Sequence, residues 1–288
     1  MSMLVKNWLI LISVSITILG FLYLILAYNN YEFVKTNSTF DLKNYGNLTG
    51  ENTSLFKKSV HLPSCSEKDG INYCSAILFA LNPEMSSLYE KIGLLQEEQN
   101  AAFIYPLLTS AAYEEPGFYN YYLNECNIEC LTVELKNQYA LKRTSSGNAV
   151  QILALLGYDL ISDLDIDKDP KILLNYEKII VLHNEYVTQN EFDAITNHPK
   201  VIYLYPNALY AKVIVDYTNN TSTLIRGHGY PESSISNGFD WELDNSKFEY
   251  DNCAQALFEE VPNGIMLNCY PEDIIDKSPE LLRLIKEY

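Results

Sequence analysis

The stretch KIIVLHNEYVTQNEF, Lys178 to Phe192, runs four apolar residues straight into His183, Asn184, Glu185 and Tyr186. An imidazole, a carboxylate and a phenol this close together are groups that bind a metal ion or move a proton. Two other places carry related chemistry. Tyr113 stands in SAAYEEPGFYNYY, and His228 stands between two glycines in RGHGY, where the backbone is free to take unusual dihedrals. Each residue also has a plain structural use. Glu185, just ahead of a helix, suits a positive helix N-terminus. His183 continues the alternation of a strand, a tyrosine in so dense a run is packing, and a histidine between glycines marks a surface turn. The chain holds no G-x-S-x-G elbow and no H-E-x-x-H. No cysteine follows a predicted strand in a sharp turn, which excludes a glutaminase.

The elements that must position these groups follow from periodicity. A helix is predicted around Met85 to Glu98 and a buried strand over Ala102 to Leu107. SSGNAVQILALLGYDLI predicts a helix capped by Ser145 or Ser146, with Ala149, Ile152, Leu153 and Leu156 on one face and Gly157 ending it in a left-handed turn. YDLISDLDI reads as a strand, and Asp169-Pro170 as a helix start. IIVLH is the continuous apolar run of a parallel strand covered on both faces. Thr188 to Glu191 is a capping box opening QNEFDAITNH, and KVIYLY is the next strand. KVIVDYT and STLIRGHG alternate as a hairpin, and SPELLRLIKEY is a capped C-terminal helix.

This order predicts an α/β fold, an open, mostly parallel sheet with helices on both faces. Ligands of such sheets bind beyond the carboxyl ends of the strands. Glu185, Asn207, Tyr210 and Tyr113 each follow a predicted strand and should share that rim.

The chain has 288 residues and a net charge of −17, which argues against nucleic acid and anionic lipid surfaces as partners. Residues 1–7 read as a cytoplasmic tip. Residues 8–28, Trp8 to Tyr28, are uncharged and long enough to cross a bilayer core of about 30 Å, which predicts a transmembrane anchor rather than a cleaved signal peptide. Lys6 ahead of it favours a cytoplasmic N-terminus, with the rest of the chain outside the cell membrane. Residues 29–64 read as a polar glycosylated stalk, and 65–288 as the extracytoplasmic domain. Glycosylation sequons at Asn37, Asn47, Asn52, Asn219 and Asn220 agree with export. So do six cysteines, at 65, 74, 126, 130, 253 and 269. Six allow 15 pairings; loop-closure cost favours Cys65–Cys74, Cys126–Cys130 and Cys253–Cys269. CNIEC lacks a second cysteine pair at zinc spacing.

LLTSAAYEEPGFYNYY, LLGYDL, VLHNEYVTQNEFDAI and VIYLYPNALYAKV together resemble the domain at the C-terminal side of the large subunit of N,N-dimethylformamidase, over roughly residues 101–229. That domain is similar to the class I glutamine amidotransferase fold (flavodoxin-like in outline) without its cysteine. The resemblance rests on His183-x-Glu185-Tyr186 and on Ala112-Tyr113, with Asn184 where the enzymes have proline. It implies a mononuclear iron held by two tyrosines and a glutamate: Glu185 as the carboxylate, Tyr113 as one phenolate and His183 behind them. Tyr73, Tyr105 and Tyr210 are open for the second phenolate, Tyr210 being favoured by its place on the rim. His183 and His228 are the candidates for proton transfer. Two functions follow: a non-catalytic domain binding a ligand or an envelope protein, or an iron-dependent amidohydrolase-like enzyme acting on a small amide or C–N bond.

Overall fold

The computed structural model describes residues 55–60, 65–68, 71–74, 77–91, 100–136, 140–253 and 256–288. The expected anchor, most of the stalk and the sequons at Asn37, Asn47 and Asn52 lie outside them. Among the described residues no helix is long and apolar enough to cross a membrane.

Fourteen strands are described: β1 Phe56–Val60, β2 Cys65–Lys68, β3 Ile71–Cys74, β4 Ile77–Leu81, β5 Ala101–Tyr105, β6 Thr132–Glu134, β7 Asp159–Ser162, β8 Lys178–Val181, β9 Tyr186–Val187, β10 Val201–Tyr203, β11 Ala211–Asp216, β12 Thr221–Arg226, β13 Phe258–Val261 and β14 Gly264–Leu267. The helices are α1 Ser86–Lys91, α2 Leu107–Ala112, α3 Phe118–Tyr122, α4 Gly147–Leu155, α5 Asp163–Lys168, α6 Gln189–Asn197 and α7 Pro279–Glu287.

The central sheet runs β13-β14-β10-β8-β5-β7. Five strands are parallel, and β13 adds an antiparallel edge. From β5 the chain goes out to β7 on one flank. It then crosses to β8 on the other flank and continues to β10 and β14. The connections leaving β5 and β8 therefore diverge, which marks the crevice position beyond their carboxyl ends where sheets of this kind bind ligands.

Both faces of the sheet are covered. Ile179, Val181, Ala102, Ile104, Val201 and Tyr203 share one core with Ile166 of α5 and Ile195 of α6. Lys178 points to the other face by the period of two. There its Nζ donates to the carbonyls of Ile285 (2.6 Å) and Lys286 (3.0 Å) in the last turn of α7. A second sheet, β6-β12-β11-β9, contains the expected hairpin as a small added sheet beside the main one.

Several elements differ from the sequence reading. The strand expected to reach Leu107 stops at Tyr105, and Leu107 already opens α2. The strand expected over YDLISDLDI stops at Ser162, because Ser162 and Asp165 form a capping box and start α5. The Asp169-Pro170 start leads into a 3-10 helix, Pro170–Asn175. Of the helix expected over Met85 to Glu98, the described part spans Ser86–Lys91. Neither serine caps α4 with its side chain; Glu272 does so from afar, Oε1 accepting Asn148 N–H at 2.6 Å. Gly157 ends α4 at a φ of 86°, as expected. Phe56–Val60, placed in the stalk, pairs with β4, because Leu55 and Phe56 are buried.

Cys126–Cys130 and Cys253–Cys269 are disulfide-bonded, as expected. Cys65 and Cys74 are register partners across the β2–β3 hairpin; their side chains lie outside the described residues. Of the two described sequons, Asn219 is exposed in the β11–β12 turn, and the Asn220 side chain donates to Leu135 O.

Candidate functional site

Glu185 follows β8, Tyr113 ends α2 after β5, and both reach the crevice where those connections diverge. The backbone at Glu185 is tied on two sides. Thr109 Oγ1 of α2 accepts the N–H groups of Glu185 (3.0 Å) and Tyr186 (3.1 Å). The Glu185 carbonyl accepts Tyr210 N–H (3.0 Å) and Ala211 N–H (2.8 Å) at the start of β11. The side chain is wholly buried. Its Oε2 accepts the Tyr113 hydroxyl at 2.9 Å, and Tyr113 Oη lies 2.7 Å from Tyr119 Oη. Burial, with added negative potential from Glu249, raises the Glu185 carboxyl to about 8. Burial and the neighbouring Glu185 raise the phenols of Tyr113 and Tyr119.

His183 is held as a neutral imidazole. The His183 backbone N–H donates to Ser146 Oγ at 3.0 Å, and the ring Nδ1 lies 2.8 Å from Thr144 O. A carbonyl only accepts, so Nδ1 carries the hydrogen and Nε2 keeps its lone pair. Burial lowers the ring's pKa to about 4. Nε2 lies 3.7 Å from Glu185 Oε2.

His228 closes the outer side. Its backbone has a φ of 54° between Gly227 at 110° and Gly229 at 77°. A side chain at Gly227 would meet the backbone of Ala211 and Gly238, so the loop sits tight against β11. Nε2 lies 3.7 Å from Glu185 Oε1 and 3.5 Å from Tyr119 Oη. The ring stacks on Tyr122 at 4.2 Å between centroids. With 29% of its side chain exposed, His228 links the buried acid to solvent.

The sequence-derived residues Glu185, Tyr113, His183 and His228 thus come together. Tyr210 stands near them, 5.7 Å from the His228 ring, but its hydroxyl meets Ser236 Oγ at 3.2 Å. Tyr105 turns its hydroxyl to the backbone of Ala140, and the side chain of Tyr73 lies outside the described residues. The tyrosine that meets Tyr113 is Tyr119, which sequence reasoning passed over. Its signal was the dense run GFYNYY, where periodicity alone cannot rank one tyrosine above another.

The donor set tests whether a metal fits. One carboxylate, two phenols and an imidazole with a free lone pair are hard oxygen and nitrogen donors of the kind ferric iron takes. Glu185 Oε1, His183 Nε2 and the hydroxyls of Tyr122 and Tyr186 are buried without a hydrogen-bond partner. The residues fit such a group, although among the described residues no cluster of three His, Cys, Asp or Glu side chains stands at metal-holding distances. A separate cavity of about 190 Å³ opens on the outer face of α2, beside Leu107, Ala111 and Glu114. Lys142 and Lys136 bridge Glu114 there, so it is distinct from the Glu185 cluster.

No protein-family model matches the chain. No curated protein matches it either.

Proposed function

We propose that the Glu185 cluster is the metal centre of an amidohydrolase-like enzyme that takes a small amide or C–N bond. One observation carries this reading. The His183 Nε2 lone pair and the Glu185 carboxyl face each other at 3.7 Å, buried, and burial drives both toward their neutral forms. An imidazole lone pair facing a carboxyl is satisfied by the carboxyl's own hydrogen or by a metal ion that both groups ligate. Glu185, Tyr113 and Tyr119 would hold iron, with His183 as the nitrogen donor whose Nδ1–H is fixed by Thr144, the usual arrangement for a ligating histidine. Bound iron would polarise an amide carbonyl and lower the pKa of bound water. The chain's own residues do the rest. Tyr113 hands its hydrogen to Glu185 or to Tyr119, and His228 carries protons between the cluster and solvent.

The strand order supports the flavodoxin-like, glutamine amidotransferase-like reading of the fold, whose switch point lies between its first and third strands, here β5 and β8. The uncharged stretch Trp8 to Tyr28 and the two disulfides support a domain tethered outside the cytoplasm.

The full burial of Glu185 favours a second reading, a closed site that binds a ligand or an envelope partner without turnover. Iron loading of the purified full-length chain tests the metal. Stoichiometric iron with a visible tyrosinate charge-transfer band is expected, and a colourless, metal-free protein after loading sinks the iron centre. Release of amine from small amides by the loaded protein then separates turnover from binding.

A further inference from the structure

Behind the Glu185 cluster lie two more carboxyls that take no part in it, Asp163 and Glu191. Both are wholly buried. Glu191 lies in the Coulomb field of Asp163, and burial raises both carboxyls well above the ordinary range. Asp165 adds its negative charge at Asp163, and Asp167 adds its own at Glu191. Two carboxyls buried in each other's field ionise together only at high cost.

The contacts of the pair converge on the site. Asp163 Oδ2 accepts Leu108 N–H at 2.7 Å in the first turn of α2. The next residue, Thr109, is the one whose hydroxyl receives the amides of Glu185 and Tyr186. Glu191 Oε1 accepts Asn184 Nδ2 at 3.4 Å. Asn184 stands between His183 and Glu185; its Oδ1 receives Leu182 N–H (3.1 Å) and its carbonyl receives Leu209 N–H (2.9 Å). The second oxygen, Glu191 Oε2, is buried without a hydrogen-bond partner.

We propose that Glu191 and Asp163 are positioning residues, a brace of hydrogen bonds behind the site that fixes the His183–Glu185 loop against the start of α2. The brace reaches both rims of the crevice: Glu185 bonds to Thr109, its neighbour Leu108 bonds to Asp163, Glu191 bonds to Asn184, and Asp163 and Glu191 feel each other's charge. Groups that touch no ligand but lock those that do set how tightly the site is formed. The inference rests on Glu185 being the centre of the site.

Two substitutions separate positioning from bulk stability. Gln at 191 reproduces a protonated carboxyl in shape and hydrogen bonding, whereas Leu keeps the volume and removes the polar link. In the purified full-length chain, Glu191→Leu should speed amide exchange at Glu185 and Tyr186 at least tenfold, leaving the β11–β12 hairpin unchanged. It should also lower iron occupancy, and Glu191→Gln should restore both. Asn184→Ala cuts the same link from the other end and should repeat the Leu result if Glu191→Leu fails to fold. Loss of thermal stability with Glu185 and Tyr186 exchange unchanged would overturn the brace, as would a Gln variant as loose as Leu. If the wild-type chain takes no iron while the exchange pattern responds, the metal reading falls and the brace stands.

Discussion

Tyr113 donates its phenolic hydrogen to Glu185 across 72 residues of sequence, at 2.9 Å, in full burial on the carboxylate side. That bond joins the connection after β5 to the connection after β8, the two that diverge at the crevice. The same phenol meets Tyr119 at 2.7 Å. Tyr113→Phe and Tyr119→Phe should each lower iron occupancy at least tenfold and weaken the visible band. Tyr210→Phe should leave both unchanged, because that hydroxyl serves Ser236. Metal analysis with absorbance checks it, and full iron in Tyr119→Phe would remove Tyr119 from the site.

Thr109 Oγ1 receives two buried backbone amides, from Glu185 and Tyr186. Thr109→Val keeps the shape and strands both donors, each at about 1–3 kcal/mol. A loss of about 3 kcal/mol in urea unfolding is expected, and Thr109→Ser should recover most of it. A Val variant as stable as wild type would show that the amides find other partners.

Glu272 is buried against Tyr205 and the start of α4, and burial raises its carboxyl to about 7. The folded pKa stands above the unfolded one, near 4.5. Below the unfolded value both states carry the proton, and the contribution is fully present. Between the two values only the folded state holds it, so stability falls as pH rises, by up to about 1.4 kcal/mol per pH unit. Glu272→Gln should flatten the unfolding free energy between pH 5 and pH 7 relative to wild type. An unchanged slope would assign the pH dependence to other groups.

Gly264 begins β14 where that strand meets β10, and a Cβ there would come 1.8 Å from the Val201 carbonyl oxygen. The clash is with backbone, so relief requires the two parallel strands to part. Gly264→Ala should cost about 3 kcal/mol, read as a fall in the urea midpoint. A midpoint unchanged from wild type would mean that the β10–β14 edge yields freely.

The sequence by itself determined the local pieces. Apolar runs marked β5, β8 and β10, the Thr188 cap marked the start of α6 although Glu191 turns to Asn184 instead of closing the box, and Gly157 marked the end of α4, because each is set by neighbours within a few residues. Nearness in sequence also predicted Cys126–Cys130 and Cys253–Cys269. His183 and Glu185 were legible as a site because they stand just past a buried strand.

Tertiary structure decided what those residues meet. That Tyr119 rather than Tyr210 touches Tyr113 depends on how α3 folds back over the rim, a matter of packing that tyrosine-rich composition does not encode. The Glu272 cap of α4 comes from 124 residues away, and no local signal announces it. Strands β13 and β14 are only four residues each, and they join the sheet because β14 pairs with β10 and β13 pairs with β14. The burial of Asp163 and Glu191 has the same origin: an acid expected in a strand and an acid expected to cap its own helix are both taken out of solvent where α5 and α6 pack together. Periodicity reports which way a side chain points relative to its own element. Which distant group waits there is fixed only when the elements assemble.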